Sequence, residues 1–196
     1  MARPRTHDEA LRLRLLDRAG ELLSTEGAKA LSLRKLAADA GTSTTAVYSL
    51  FGGKPGLVNA LYAEGFKRFG ARMRAVPRSG DAVEDLVRLG LAYRQSALAD
   101  PHLYSIMFTK AVLGFEPGAE ATELGRRTLS PLVEVVRAGI ESGQFAPVAA
   151  ETIAVGAWGI VHGLVSLELN GNLPPAFDMG ASYEAALRAQ ARGWGQ

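Results

Sequence analysis

Between residues 43 and 54 the chain places Ser43, Thr44, Thr45, Tyr48, Ser49 and Lys54. Short hydroxyls donate and accept at base edges and phosphate oxygens, and a threonine methyl can meet a thymine methyl. A phenol reaches a phosphate without placing charge in a core, and an ammonium neutralises one. This set suits holding a nucleic acid, and it contains no acid–base pair for turning a substrate over.

The side chains that would argue for catalysis are sparse. Three histidines, His7, His102 and His162, form no His-x-x-x-His or His-Glu-x-x-His pattern, and the chain has no cysteine. Disulfide scaffolds, thiolate metal sites and cysteine nucleophiles are thereby excluded. Neither Gly-x-Ser-x-Gly nor a glycine-rich phosphate loop occurs, so no enzyme, metal or cofactor is expected. Glu120 and Glu123 lie one turn apart with no histidine nearby and read as a solvated face.

A second group sits further along. Trp158 and His162 are spaced to share a helix face, among Gly156, Gly159 and Gly163,. Glycine in a helix costs up to about 1 kcal/mol relative to alanine, so three in eight residues ask for a packing reason,. His162 reads as a core histidine with a hydrogen-bond partner or as a ligand contact. Tyr104, Met107 and Phe108 are likewise core or pocket wall, and a mostly apolar pocket with a few polar groups is the usual small-molecule site. The spacing leaves both readings open.

The elements that must position these residues are helices. Leu11, Leu15, Leu16, Ala19, Leu22 and Leu23 recur at helical spacing, with Gly27 as a stop,. Ser32 can cap a short helix presenting Leu33, Leu36, Ala37 and Ala40, which Gly41 ends,. Ser43 can cap another, with Ala46, Val47, Leu50 and Phe51 inward and the hydroxyls outward. A long helix is expected from about Pro55 to Val76, then helices near 81–99, 101–113, 118–143, 149–170 and 178–192. Alternating β-branched runs are absent, so the fold class is all-α. Two domains are expected: residues 1–54, a three-helix unit with a helix-turn-helix, and residues 55–196, a larger helical domain.

Charge follows the same division. Residues 1–76 carry 13 basic against 7 acidic side chains, and residues 77–196 carry 9 against 13. A basic front and an acidic rear fit a polyanion-binding head on a body that avoids the polyanion. The N-terminus has no apolar leader, and the longest apolar stretch, Ile153 to Leu167, is shorter than the ~20 residues that span a bilayer,. A cytoplasmic protein with no membrane contact is expected.

Residues 9–57 resemble the DNA-binding domain of the tetracycline-repressor (TetR) family of bacterial transcription regulators. The resemblance rests on Leu33-x-x-Leu36-Ala37-x-x-Ala40-Gly41-Thr42-Ser43 followed by Val47-Tyr48-x-x-Phe51-x-x-Lys54-x-x-Leu57. Thr42 stands where the family usually has valine, and Leu50 where an aromatic or histidine is frequent. The resemblance implies that Tyr48 and Lys54 face phosphates, that Thr44 and Thr45 face bases, and that Ser43 caps the recognition helix. Trp158 to Gly163 and Pro101-x-x-Tyr104-x-x-Met107-Phe108 resemble one subgroup's C-terminal domain. That implies an effector cavity near Tyr104, Met107, Phe108, Trp158 and His162.

The expected function is a ligand-responsive regulator, a repressor released from a palindromic operator by a small molecule. Because residues 153–167 are apolar almost all round, 149–170 and 178–192 are expected to form a homodimer interface. A helical ligand-binding or protein-interaction module without DNA binding shares this outline. Salt-sensitive binding to duplex DNA separates the two.

Overall fold

A computed structural model describes residues 5–108 and 114–195. Among these residues the elements are α1 (Arg5–Glu26), α2 (Leu33–Asp39), α3 (Thr44–Phe51), α4 (Lys54–Arg74), α5 (Ala82–Ala99), α6 (Pro101–Phe108), α7 (Ala119–Arg127), α8 (Ser130–Glu141), α9 (Ala150–Leu169) and α10 (Met179–Arg192). The one β feature among them is an isolated antiparallel bridge between Phe145 and Gly195. The all-α class is therefore the observed one.

One boundary differs from the sequence expectation. The helix expected over 118–143 is two helices, because Pro131 stands in the first turn of α8. Proline has no N–H to continue the ladder, and its ring clashes with the carbonyl four residues back. That residue is Arg127, where α7 ends. The expected 101–113 helix is seen as α6 as far as Phe108; residues 109–113 lie outside the described residues.

The chain packs into two units. The first holds α1 to α3, α4 as far as Arg68, α6, and α7 to Gly125; the second holds the rest of α4, α5, and α8 to α10. This packing boundary does not fall between residues 54 and 55. The first half of α4 supplies Leu57, Val58 and Leu61 to the core of the first unit, and α6 adds Leu103 and Ile106. These pack with Leu15, Leu16 and Leu22 of α1, Leu36 of α2 and Val47 of α3. Each such side chain contributes roughly 1.5–3 kcal/mol on burial.

In the second unit α5 packs against α8, α9 and α10. Its core includes Leu86, Leu89, Val135, Val136, Phe145 and Ile153. Helix α9 has 20 residues and a mean hydropathy of 1.5, which makes it long and apolar enough to cross a membrane by length and composition. The sequence expectation of a span too short for a bilayer is corrected here, since the helix continues beyond the apolar run at both ends. The same two measures also describe a helix whose apolar side packs on another protein chain.

Candidate nucleic-acid interface

Helices α2 and α3 have only 7 and 8 residues, too few to persist alone, so their ends and buried sides must hold them,. The Ser32 hydroxyl accepts from the Lys35 N–H at 3.4 Å, and the Ser43 hydroxyl accepts from the Ala46 N–H at 3.1 Å. Between them, Gly41 turns the chain at a φ of 63°, in the left-handed region that a side chain disfavours,. Gly52, at a φ of 68°, closes α3 by donating its N–H to the Tyr48 carbonyl at 2.7 Å,.

These devices fix which residues α3 turns outward. Val47 and Phe51 are buried. Ser43, Thr45, Tyr48 and Ser49 are exposed, Tyr48 to 54%, and Thr44 is half-buried. The Ser43 oxygen is engaged as a cap acceptor, but its O–H proton remains available to donate,. The hydroxyl-rich side expected from the sequence is thus assembled on one short helix. Lys54, at the start of α4, behaves differently: its ammonium donates to the Ala28 carbonyl at 2.6 Å.

Other cations nearby in sequence are already paired. Lys35 bonds both carboxylate oxygens of Glu26, and Arg18 bridges Asp39 and Glu21. Those two carboxylates hold the Arg18 guanidinium above its ordinary pKa. Arg34 on α2 and Lys29 in the preceding turn are exposed. The sequence reading did not single them out, although the inward set Leu33, Leu36, Ala37 and Ala40 already placed Arg34 on the outside.

The five residues expected at an effector cavity fall in different units. Tyr104 and Met107 are buried and Phe108 half-buried in the first unit. There the Tyr104 and Phe108 rings lie 4.9 Å apart, Phe66 and Phe108 lie 5.7 Å apart, and Met107 fills the space beside Gly65. Trp158 and His162 belong to the second unit, with ring centroids 6.0 Å apart on α9. His162 Nδ1 is 3.0 Å from the Tyr93 hydroxyl, and the Tyr93 ring stands edge-on to Phe69 at 5.0 Å. Burial lowers the His162 pKa. The i, i+4 spacing foretold the Trp158–His162 pairing, whereas nothing local pointed to Tyr93, 69 residues away.

The second unit also has two grooves. One of about 410 Å³ lies beside Asp85, Glu134 and Gln144. The other, about 560 Å³, is lined by the end of α4 and by α5, including Arg72, Arg88, Leu91 and Gln95. None of the five expected cavity residues lines either groove. Among the described residues no group of three or more His, Cys, Asp or Glu side chains is placed to hold a metal.

Comparison with known proteins adds the following. Residues 15–61 match the family described as bacterial regulatory proteins, tetR family. Residues 86–190 match the tetracyclin repressor-like, C-terminal domain. Among solved structures, a protein with unknown function from Rhodococcus sp. RHA1 is 30% identical, with a TM-score of 0.81 over 95% of this chain and 96% of that one. The TetR family transcriptional regulator PfmR from Thermus thermophilus is 23% identical, with a TM-score of 0.69 over 91% and 94% of the two chains. NalD of Pseudomonas aeruginosa, the secondary repressor of the MexAB-OprM multidrug efflux pump, is 22% identical, with a TM-score of 0.71 over 98% and 99%. No curated protein matches the sequence.

Proposed function

The chain belongs to the tetR family of bacterial regulatory proteins and is a DNA-binding transcriptional regulator, and from that premise we propose that it is a ligand-responsive homodimeric repressor. Regulators of this family bind DNA and act as dimers with small-molecule effectors. The proposed division of labour gives residues 1–54 to DNA and residues 55–196 to effector binding and dimerisation, with the cytoplasm as the place of work.

The observation that carries the DNA assignment is the outward side of α3. Ser43, Thr44, Thr45, Tyr48 and Ser49 present four hydroxyls and a phenol on a helix capped at both ends, with Lys54 where α4 begins. Hydroxyls on such a helix suit base edges, and the Tyr48 phenol suits a phosphate. For dimerisation, α9 leaves Val155, Gly159, Gly163 and Leu167 exposed at four-residue intervals, and α10 leaves Ala181, Ala185 and Ala189 exposed in the same way. Small side chains in such rows let helices approach closely, and a two-fold axis would use both rows twice. The effector is assigned to one of two apolar and aromatic places, around Tyr104, Met107 and Phe108 in the first unit or around Trp158 and His162 in the second. Its binding would favour a spacing of the two heads that no longer fits the operator.

Selection of bound sequences from a random duplex pool with the purified chain tests this reading. The expected product is a palindrome whose half-sites are centred roughly 34–36 Å apart, or a multiple of that. A single asymmetric half-site bound with full affinity overturns the two-headed reader. Absence of any salt-sensitive duplex binding overturns the assignment of α3 to DNA.

A further inference from the structure

The groove along the end of α4 and α5 lies wholly within the second unit and is lined by none of the residues assigned to the effector. Helix α5 contributes Arg88, Leu91, Ala92, Gln95 and Ala99, spaced so that they share one side of the helix,. At a rise of about 1.5 Å per residue this row is about 16 Å long. The end of α4 and the turn after it supply the opposite wall, with Val76 half-buried in it. The volume of about 560 Å³ falls within the roughly 300–1,000 Å³ of small-molecule sites, which are mostly apolar with a few polar groups,.

Those polar groups are of one kind. Two guanidiniums, Arg72 and Arg88, line the groove, and no carboxylate among the described residues does. Arg72 is committed to α5, where its Nη1 donates to the buried Ser96 hydroxyl at 3.1 Å. Arg88 is committed only in part. Its Nε donates to Glu84 at 3.2 Å, and its two Nη groups have no acceptor among the described residues. Glu84 is also held by Arg188 at 2.9 Å, which keeps that carboxylate from serving the rest of Arg88. A carboxylate takes two parallel N–H bonds from a guanidinium edge. An inorganic anion would leave the apolar row unused, and a neutral hydrocarbon would leave Arg88 unused.

We propose that this groove is a second small-molecule site, for an aliphatic carboxylic acid: the carboxylate accepts from the Nη groups of Arg88, and the chain lies over Leu91 and Ala92 against Val76. The site is separate from the places assigned to the effector and does not rest on the assignment of α3 to DNA.

The probes are octanoate and its uncharged counterpart 1-octanol, titrated into the full-length chain below the concentration at which either aggregates. Calorimetry gives the affinities, and methyl NMR of Leu91 and Val76 gives the place. Octanoate should shift both sets of methyl resonances and bind several-fold more tightly than octanol. Arg88→Gln should bring octanoate down to the affinity of octanol while leaving octanol binding unchanged. Ala75→Trp fills the groove from an exposed position on the α4 side and should block both probes. Equal affinities for the two probes in the wild type overturn the proposal, as does octanoate binding that Arg88→Gln leaves unchanged. Octanoate that shifts only resonances around Tyr104 or Trp158 belongs to the effector's place and overturns the second site, and so does no binding at all. If Arg88→Gln does not fold, Ala75→Trp decides by blocking octanoate or failing to. Wild-type protein that binds no duplex refutes the DNA assignment and leaves each of these outcomes as it stands.

Discussion

The helix-turn-helix and the bundle of α5, α8, α9 and α10 are held together by different means. In the first, short helices are secured at their ends, by Ser32, Ser43 and Gly52, and only one side of each is buried. In the second, long helices are secured along their length. Phe145 is fully buried against Gly139, Leu187 lies against Gly90, and the buried Tyr183 hydroxyl donates to the Gly90 carbonyl at 3.0 Å. A helix that must offer one face to a partner of varying sequence cannot gain its stability from burying that face. Its caps carry more of the burden. A helix whose glycines admit a neighbour at close range gains stability from interlock, and its caps matter less.

The exposed row on α9 gives the largest expected effect. Val155 is 53% exposed and Leu167 is 41% exposed, on a helix whose Ile153, Ala154, Ala157, Val161 and Val165 are buried in the second unit. Val155→Glu places a charge in the proposed dimer interface without touching either core. The expected result is a folded monomer at micromolar concentration by light scattering, with the salt slope of duplex binding reduced to about half, because one head instead of two meets phosphates. A dimer that persists unchanged removes α9 from the interface.

The same contrast explains how much was legible in the residues. The boundaries of α2 and α3 were readable because serine caps and left-handed glycines act on neighbours within three or four positions. Pro131 is an equally local signal, and the continuous apolar spacing on both sides of it hid the break. Of the surroundings of His162, Trp158 was readable from its i, i+4 spacing and the hydroxyl partner was not. Its hydroxyl partner Tyr93 comes from another helix, and α9 is apolar on nearly every side, so periodicity does not say which side α5, α8 and α10 cover. The expected effector-cavity residues were separated for the same reason: α6 packs on α1, in the first unit.

A pair of truncations tests the two modes of support directly. Phe145→Ala empties a fully buried aromatic site in the bundle and should cost about 3–5 kcal/mol by denaturant unfolding,. Ser43→Ala removes only the cap acceptor for the Ala46 N–H and should cost about 1 kcal/mol,. The order should reverse for hydrogen exchange within α3, which the cap protects and which belongs to a different unit from Phe145. Equal effects of both variants on α3 exchange would contradict the separation.

The smallest expected effect is a pH dependence confined to the bundle. No histidine lies between residues 8 and 101, so the helix-turn-helix has none to titrate near neutrality. His162 does, and burial holds its pKa below the ordinary 6.5. The unfolded chain, whose imidazole titrates at the ordinary value, therefore takes up this proton more readily than the folded one. Stability rises with pH wherever the unfolded state binds more protons. The contribution of His162 is accordingly intact above 6.5, declines as pH falls through that value, and is fully lost below the lowered folded pKa. Asp85 does not blur this window. Burial pushes its carboxyl up, but hydrogen bonds from the Ser79 hydroxyl and from the Ser79 and Gly80 N–H groups outweigh that and hold it below the usual carboxylate range. Its loss belongs to much more acidic solution. Thermal unfolding followed from about pH 8 to about pH 5 should thus show a decline in the wild type that His162→Gln flattens. When the imidazole is neutral with its proton on Nε2, the Tyr93 hydroxyl donates to Nδ1, so Tyr93→Phe should cost about 0.5–1.5 kcal/mol at the alkaline end,. The same variant should also shrink the acid-side decline, because the neutral ring has lost its donor. Parallel declines in the wild type and His162→Gln would show that the half-buried imidazole is not what titrates.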